Sequence, residues 1–312
     1  MKNSTRRFVK IISEICEEEN IALQSFSYDW IFSLFKNGVY NYIIGYQFGL
    51  NSSSVHSICC DKSAASEIMN SFNIPNVEHV FFMSPVNQKY ISDNGNWMKL
   101  VGLLNKHKEL VCKANEGTGG NQVFRVSNQF ELENAVYKIF LKSRSMAVSP
   151  YYNIDNEFRI IVLDGIIRLI YSKKRPCITG DGIHNIRSLI FDYLTKNNEE
   201  FIINITANYD MLKVLDKGEC IELSWKHNLG QGSKAIIVEE NEIDERVKEI
   251  IQMVVNKLNI RFASIDIIES NNEYRVLEIN SGVMMEHFSQ QDEESYNIAK
   301  TIYKEAILKM LS

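Results

Sequence analysis

Two short apolar runs near the C-terminus constrain this chain more than anything else in it. The first is Phe262-Ala-Ser-Ile-Asp266-Ile-Ile268; the second is Tyr274-Arg-Val-Leu-Glu278-Ile-Asn280. Their composition, and the turn-forming Glu269-Ser-Asn-Asn-Glu273 between them, predict a β-hairpin. A hairpin centred near Asn272 sets Asp266 opposite Glu278, and Glu278 and Asn280, two apart, share a face. Two carboxylates and an amide on one side of a sheet make an all-oxygen donor set, which suits Mg²⁺ carrying nucleotide phosphates. An ordinary amphipathic hairpin with solvated acids has the same spacing. The upstream sequence weighs against that plainer reading.

The 312 residues are enough for two or three domains, and a hydrophobic share of 45% with 23% charged residues is that of a globular protein. A net charge of −5, with Lys173-Lys174-Arg175 as the one tight basic run, argues against nucleic acid or an acidic membrane as partner. The six cysteines show no CxxC spacing, and Cys59 and Cys60 are adjacent. That pattern suits neither a disulfide framework nor a zinc site, so buried free thiols and a cytoplasmic location are expected. The N-terminal segment, with Phe8, Ile11, Ile12 and Ile15 among charged residues, reads as an amphipathic helix and not a signal peptide. No apolar run approaches the ~18 residues that a membrane span needs.

Periodicity predicts helices near 5–19, 26–36, 61–72, 97–108, 130–142, 184–195, 205–216, 242–258 and 292–311. A buried strand is expected at 40–46, and further strands at 80–83, 110–113, 122–126, 146–149, 158–163 and 166–172, the last two joined by the hairpin dipeptide Asp164-Gly165. Such mixed elements with many hairpins point to an α+β fold.

A second constellation lies at Val111-Cys-Lys113-Ala-Asn-Glu116-Gly117-Thr118-Gly119-Gly120, a strand running into a glycine-rich loop. Glycines let backbone N–H groups approach phosphate oxygens, and Lys113 at the strand end neutralises charge on the same phosphates. It is not a Walker loop, because GxxxxGK[ST] is absent. A flexible hairpin tip with a solvated lysine is the competing reading. Lys174 within the basic run is a candidate clamp for a substrate carboxylate or phosphate. Asn228, before Leu229-Gly-Gln-Gly232, either lines an acceptor pocket or forms a turn. His287 either reaches the same region or is structural.

Taken in order, these segments resemble the ATP-grasp carboxylate ligases over roughly residues 40–290. Asp61-Lys62 with Ile74-Pro75 resembles the family's "DK…GIP" segment, and Val111-Cys-Lys113 its "VVKP" strand, with Ala114 in place of proline. Tyr151-Tyr152-Asn-Ile-Asp-Asn-Glu157-Phe-Arg159 resembles the hinge "EYIxGxEYRV", whose first acid is replaced by Pro150. Phe48 to His56, Lys174 to Gly182 and Asn228 to Gly232 resemble "LGxGxxQ", "RxPAxVxGDG" and "NLSTGG" of cyanophycin synthetase and the ligase half of bifunctional glutathione synthetase.

The resemblance implies an ATP-grasp fold with a small α/β N-terminal domain (1–75), a small lobe with the glycine loop (76–149) and a C-terminal lobe with the Mg²⁺ site (150–312). It implies that Lys62 and Lys113 contact ATP phosphates, with Glu116, Gly117, Thr118, Gly119 and Gly120 forming the loop over them. By the same likeness the backbone at Tyr151 and Tyr152 reads adenine, Glu157 holds the ribose, and Arg159 faces an acyl phosphate. Asp266, Glu278 and Asn280 match the magnesium ligands, while Lys174 and Asn228 fall in the catalytic region. The implied activity is ATP-dependent joining of a small-molecule carboxylate to an amine. Two other readings stay open. One is a ligase acting on a carrier protein or peptide, with an amine or thiol acceptor. The other is a nucleotide-binding regulator without catalysis.

Overall fold

The computed structural model describes residues 6–90, 97–117, 120, 122–197 and 209–312. The chain divides into two compact units, Met1–Ile170 with Val238–Ser312, and Tyr171–Ile237. In the first unit α1 (Arg7–Glu18) precedes an antiparallel sheet in sequential order β1 (Ala22–Phe26), β2 (Ile31–Lys36), β3 (Val39–Ile44) and β4 (Gln47–Phe48). Two helices follow, α2 (Ser53–Cys60) and α3 (Lys62–Ser71). A second sheet, of β5 (Val80–Met83), β6 (Leu110–Ala114), β7 (Val123–Val126) and β8 (Ser145–Pro150), runs in the order β5-β8-β6-β7, with α4 (Trp97–His107) between β5 and β6 in the chain and α5 (Gln129–Phe140) between β7 and β8. Next come β9 (Asn156–Leu163) and β10 (Ile166–Lys174), whose last residues from Tyr171 belong to the second unit.

The second unit holds β11 (Cys177–Thr179), α6 (Ile186–Asn197), β12 (Cys220–Glu222) and β13 (Lys234–Ile237), around a core of Ile178, Ile186, Ile190, Leu215, Ile221 and Leu223. Gly180 has a steric reason to be glycine there: a Cβ would lie 2.2 Å from the Asp216 carbonyl oxygen. The first unit is completed by α7 (Glu245–Leu258), β14 (Phe262–Ser270), β15 (Glu273–Asn280), α8 (Glu286–Ser289) and α9 (Glu293–Met310). Among the described residues no helix is long and apolar enough to cross a membrane.

The strands β9, β14 and β15 lie side by side with β14 in the centre. Alternation sends Phe158, Ile160 and Val162, with Ala263, Ile265, Ile267, Val276 and Ile279, to one face. That face packs on Val247, Ile250, Ile251 and Val254 of α7 and on Val55, Ala65 and Met69 of α2 and α3. Each such buried aliphatic side chain contributes about 1.5–3 kcal/mol, which anchors this face; the opposite face carries Glu157, Arg159 and Asp266 beside the buried Ile161, Leu163, Phe262 and Ile268. In the β5–β8 sheet, Leu110 and Cys112 face α4 and α5, which turns Lys113 to the other side.

Helix α1 has no side-chain cap of its own. Its first amides, those of Arg7 and Phe8, donate instead to the carboxylate of Glu286 at 2.7 and 3.0 Å. Because a charged acceptor there satisfies two orphan N–H groups, Glu286→Ala is expected to lower stability by about 1–2 kcal/mol. Urea unfolding is the check, and a midpoint equal to that of the unsubstituted chain contradicts it.

Four expectations need correction. The strand expected to be buried at 40–46 runs Val39–Ile44, and only Ile43 of it is buried, because it lies in a sheet with one face open to solvent. Residues 26–36 are not helical. Ser27, Tyr28 and Asp29 take φ of 50°, 57° and 65°, a turn between β1 and β2, and Phe32 and Leu34 bury at a spacing of two. Residues 209–216 form turns and a bridge between Asn185 and Val214, while 205–208 lie outside the described residues. Finally, Cys177 and Cys220 are exposed, whereas burial pushes the thiols of Cys16, Cys59 and Cys112 up to about 12. Several further elements were not expected: the short strands β1, β4, β11, β12 and β13, the one-turn α8, and α2, which is capped by the Ser52 hydroxyl accepting from Val55 N–H at 3.3 Å.

Candidate functional site

Asn271 and Asn272, at φ of 52° and 60°, form a two-residue turn, so the β14–β15 hairpin centres between them, half a residue before Asn272. That register alone pairs Asp266 with Leu277. A bulge after Val276 makes Leu277 the extra residue, and Asp266 then pairs with Glu278 as expected from the sequence. Across the other edge of β14, Asp266 pairs with Arg159 of β9. Arg159, Asp266 and Glu278 therefore stand in one row on the face opposite the core. Asn280 shares this face and donates to Glu278 Oε1 at 3.3 Å.

Within the row Arg159 grips Asp266 through two parallel bonds, Nε to Oδ1 and Nη2 to Oδ2, each 2.7 Å. Asp266 is only 1% exposed. A buried carboxylate held by a planar fork is positioned tightly, and removing either partner leaves an uncompensated charge. Glu157, two residues before Arg159, is buried on the same face, while Phe158 and Ile160 pack on the core side as expected.

Lys113 sits at the end of β6, 6% exposed. Among the described residues its ammonium has no hydrogen bond and no ion pair. Burial pulls its pKa down to about 8, against the attraction of Glu278, Glu157 and Asp266 and with added repulsion from Lys62. Lys62 opens α3 and reaches the start of the glycine loop, its Nζ donating to the carbonyls of Gly117 at 2.5 Å and Asn115 at 3.4 Å. Gly117 is exposed in part, Glu116 is exposed, and Gly120 takes a left-handed φ of 70°. Thr118 and Gly119 lie outside the described residues.

At the hinge, Tyr151 N–H donates to the Glu109 carbonyl at 3.1 Å, and the Arg125 guanidinium stacks 3.7 Å over the Tyr151 ring. The Arg275 guanidinium lies 5.1 Å over Tyr152.

Three groups beside these residues carried no assigned role in the sequence reading. Asn115, fully buried, accepts on Oδ1 from the Ser63 amide (3.1 Å) and hydroxyl (3.0 Å), while its Nδ2 has no partner among the described residues. His79 is buried, its Nε2 is unpartnered, and burial with Lys113 and Lys62 nearby holds it well below its ordinary pKa. Ser281, directly after Asn280, bonds His56 Nδ1 at 2.5 Å. The only sequence signals were positional: Asn115 inside the loop segment, His56 at the end of the Phe48 segment.

Lys174 and Asn228 belong to the second unit. There Lys174 pairs in register with Lys234, and Arg175 binds Glu222 at 3.0 Å. Asn228 Oδ1 accepts from Gly230 N–H at 2.9 Å, forming the turn that was one of its two expected roles. His227 donates from Nδ1 to the Lys173 carbonyl at 2.8 Å, and burial lowers its pKa to about 4.

The donor set at Asp266, Glu278 and Asn280 fits a hard cation that keeps most of its own water or phosphate ligands. Among the described residues no cluster of three or more His, Cys, Asp and Glu side chains is arranged for a metal. A self-sufficient protein cage for zinc or calcium is therefore not what these residues form.

Known ATP-grasp proteins are similar to parts of this chain. The family model described as the RimK-like ATP-grasp domain matches residues 173–306. The bifunctional glutathione biosynthesis protein of Listeria monocytogenes is 23% identical over 197 residues, 55% of this chain and 25% of that protein. Among solved structures, a bifunctional glutathione synthetase from Pasteurella multocida superposes with a TM-score of 0.57 at 15% identity, over 95% of this chain and 44% of that one. D-alanine–D-alanine ligase from Bacillus anthracis gives 0.51 at 18% identity, over 81% and 66%. The chain thus spans about a quarter of the length of the curated relative and under half of the first of these structures, and the likeness to both structures is one of fold.

Proposed function

We propose that this chain, which belongs to the ATP-grasp superfamily, is an ATP-dependent ligase that joins a carboxylate to an amine through an acyl phosphate, releasing ADP and phosphate. The observation that carries this reading is Lys113. A buried ammonium with no hydrogen bond or ion pair among the described residues, and only the more distant pull of Glu278, Glu157 and Asp266, is costly, and the cost is offset when an anion binds beside it. Lys62, anchored to the loop carbonyls, adds a second cation, so the pair favours a polyphosphate over a single carboxylate.

In this reading the hinge backbone at Tyr151 and Tyr152 receives adenine, Glu157 the ribose, and the Glu116–Gly120 loop covers the phosphates. Lys62 and Lys113 hold the phosphate tail and lower its repulsion toward an incoming carboxylate. Asp266, Glu278 and Asn280 would hold Mg²⁺, which supplies charge neutralisation on the phosphate oxygens when bound. Arg159 is placed by Asp266 and stabilises the acyl phosphate, then the tetrahedral oxyanion formed as the amine attacks. The work is positioning and charge stabilisation, as phosphoryl transfer requires. Lys174 and Asn228, in the second unit, are proposed as acceptor-binding groups on the resemblance alone, and the division at 75 and 149 is part of the same proposal.

Incubation with Mg²⁺-ATP and a panel of amino acids and short peptides is expected to yield ADP and phosphate in step with a new amide, read by mass spectrometry. Release of AMP and pyrophosphate contradicts the acyl-phosphate route. Tight nucleotide binding with no turnover across the panel favours the regulator reading.

A further inference from the structure

The N-terminal sheet has one finished face and one bare one. Its inner face places Phe32, Leu34, Ile43 and Phe48 in register, all fully buried. Alternation sends every second residue the other way, from Ala22 to Phe26, Ile31 to Phe35 and Tyr40 to Ile44. None of these outward residues is charged. Four of them are large and open to solvent: Phe26 is 42% exposed, Tyr40 65%, Tyr42 53% and Ile44 49%. Ser33, paired with Tyr42, leaves a shallow centre between them. At the Ala22–Phe35 end a cavity of about 490 Å³ opens against Glu18, Glu19 and Lys36, so a polar rim borders the apolar face.

From this face we infer that the chain forms a twofold dimer by packing the outer faces of two N-terminal sheets against each other. Two arguments select a second copy as the occupant. The first is area. Half-exposed aromatics contribute about 100 Å² each, so the four large side chains supply roughly 400 Å² per copy. Ile31, Phe35, Ala22 and Gln24 raise this to about 500–600 Å², and two copies clear the roughly 1,000 Å² that a specific interface needs. The second is charge. A twofold axis sets each surface against itself, so any charged residue near the centre meets its own kind. A face with none is the composition self-pairing tolerates, whereas a surface for a different charged partner carries complementary groups for register. Stacked sheets pack about 10 Å apart with their inward side chains interleaved, and the depression at Ser33, between Ile31 and Phe35 along β2 and between Gln24 and Tyr42 across it, provides such relief.

Sedimentation velocity at about 10 μM is expected to give twice the 36.0 kDa chain mass. Tyr42→Lys puts like charges at the axis and is expected to weaken the dimer at least about a hundredfold, giving monomer with an unchanged melting temperature. Tyr28→Lys, in the fully exposed β1–β2 turn, is expected to leave the dimer intact. A wild-type chain that sediments as monomer up to about 100 μM, or a Tyr42→Lys variant that stays dimeric, overturns the inference.

Discussion

Lys113→Met is expected to make the apo protein more stable and nearly abolish nucleotide binding. The two effects have one cause. In the folded chain the Lys113 pKa is about 8, against an ordinary value of 10.5. Holding the proton at neutral pH therefore costs the fold about 3 kcal/mol, to order of magnitude. Methionine keeps the length and removes the charge, so unfolding free energy is expected to rise by up to that amount. The sign with pH follows. Between about 8 and 10.5 the unfolded chain holds this proton and the folded chain has released it, so the apo protein gains stability from Lys113 as pH rises through that window. Nucleotide binding runs the other way, because phosphate favours the charged form. ATP affinity is expected to fall above about pH 8 in the wild type and to show no such step in the variant. Calorimetric titration from pH 7 to 9, beside urea unfolding of both proteins, measures both. A variant less stable than wild type, with unchanged ATP affinity, returns Lys113 to a structural role.

Arg159→Lys is expected to cut kcat by about a hundredfold, the value of one lost donor to developing negative charge. The KM for ATP should move far less. Lysine keeps the charge but cannot reproduce the two parallel 2.7 Å bonds to Asp266 or bind two oxygens of an acyl phosphate together. Some stability is also expected to be lost, since Asp266 is buried and depends on this partner. Rate per folded molecule, from activity corrected by the folded fraction in urea, separates the two roles. A variant that melts earlier but turns over normally makes Arg159 an anchor for the sheet and nothing more.

The candidate site was legible to different depths. Asp266 opposite Glu278 followed from two apolar runs and an Asn-rich turn, because a hairpin is local and its spacing is nearly arithmetic. The half-residue offset of the turn and the bulge at Leu277 cancel, and no residue pattern signals either. Lys113 was placed at a strand end by the same local reasoning. Its burial and solitude were not, since these depend on which groups surround it from segments far along the chain.

The N-terminal sheet was missed for a related reason. Phe26 to Lys36 is apolar enough to satisfy both a helical and a strand period, and its turn uses Ser27, Tyr28 and Asp29 at positive φ where glycine or asparagine is the usual marker. Pairing with β3 decided the outcome, as tertiary context overrides propensity when a strand can bury Phe32 and Leu34 against a neighbour.

By itself, then, the sequence determined which residue types recur at which short spacings: the acid–amide hairpin, the lysine before a glycine loop, the Glu157–Arg159 alternation and the helix start at Asp61. These depend on backbone geometry over a few residues, which composition specifies directly. Only the tertiary structure decided that Arg159 closes on Asp266 across 107 positions, that Glu286 caps a helix 279 residues away, and that one sheet face stays bare. Those outcomes depend on strand order and packing, where many distant pairings compete and burial free energy selects among them.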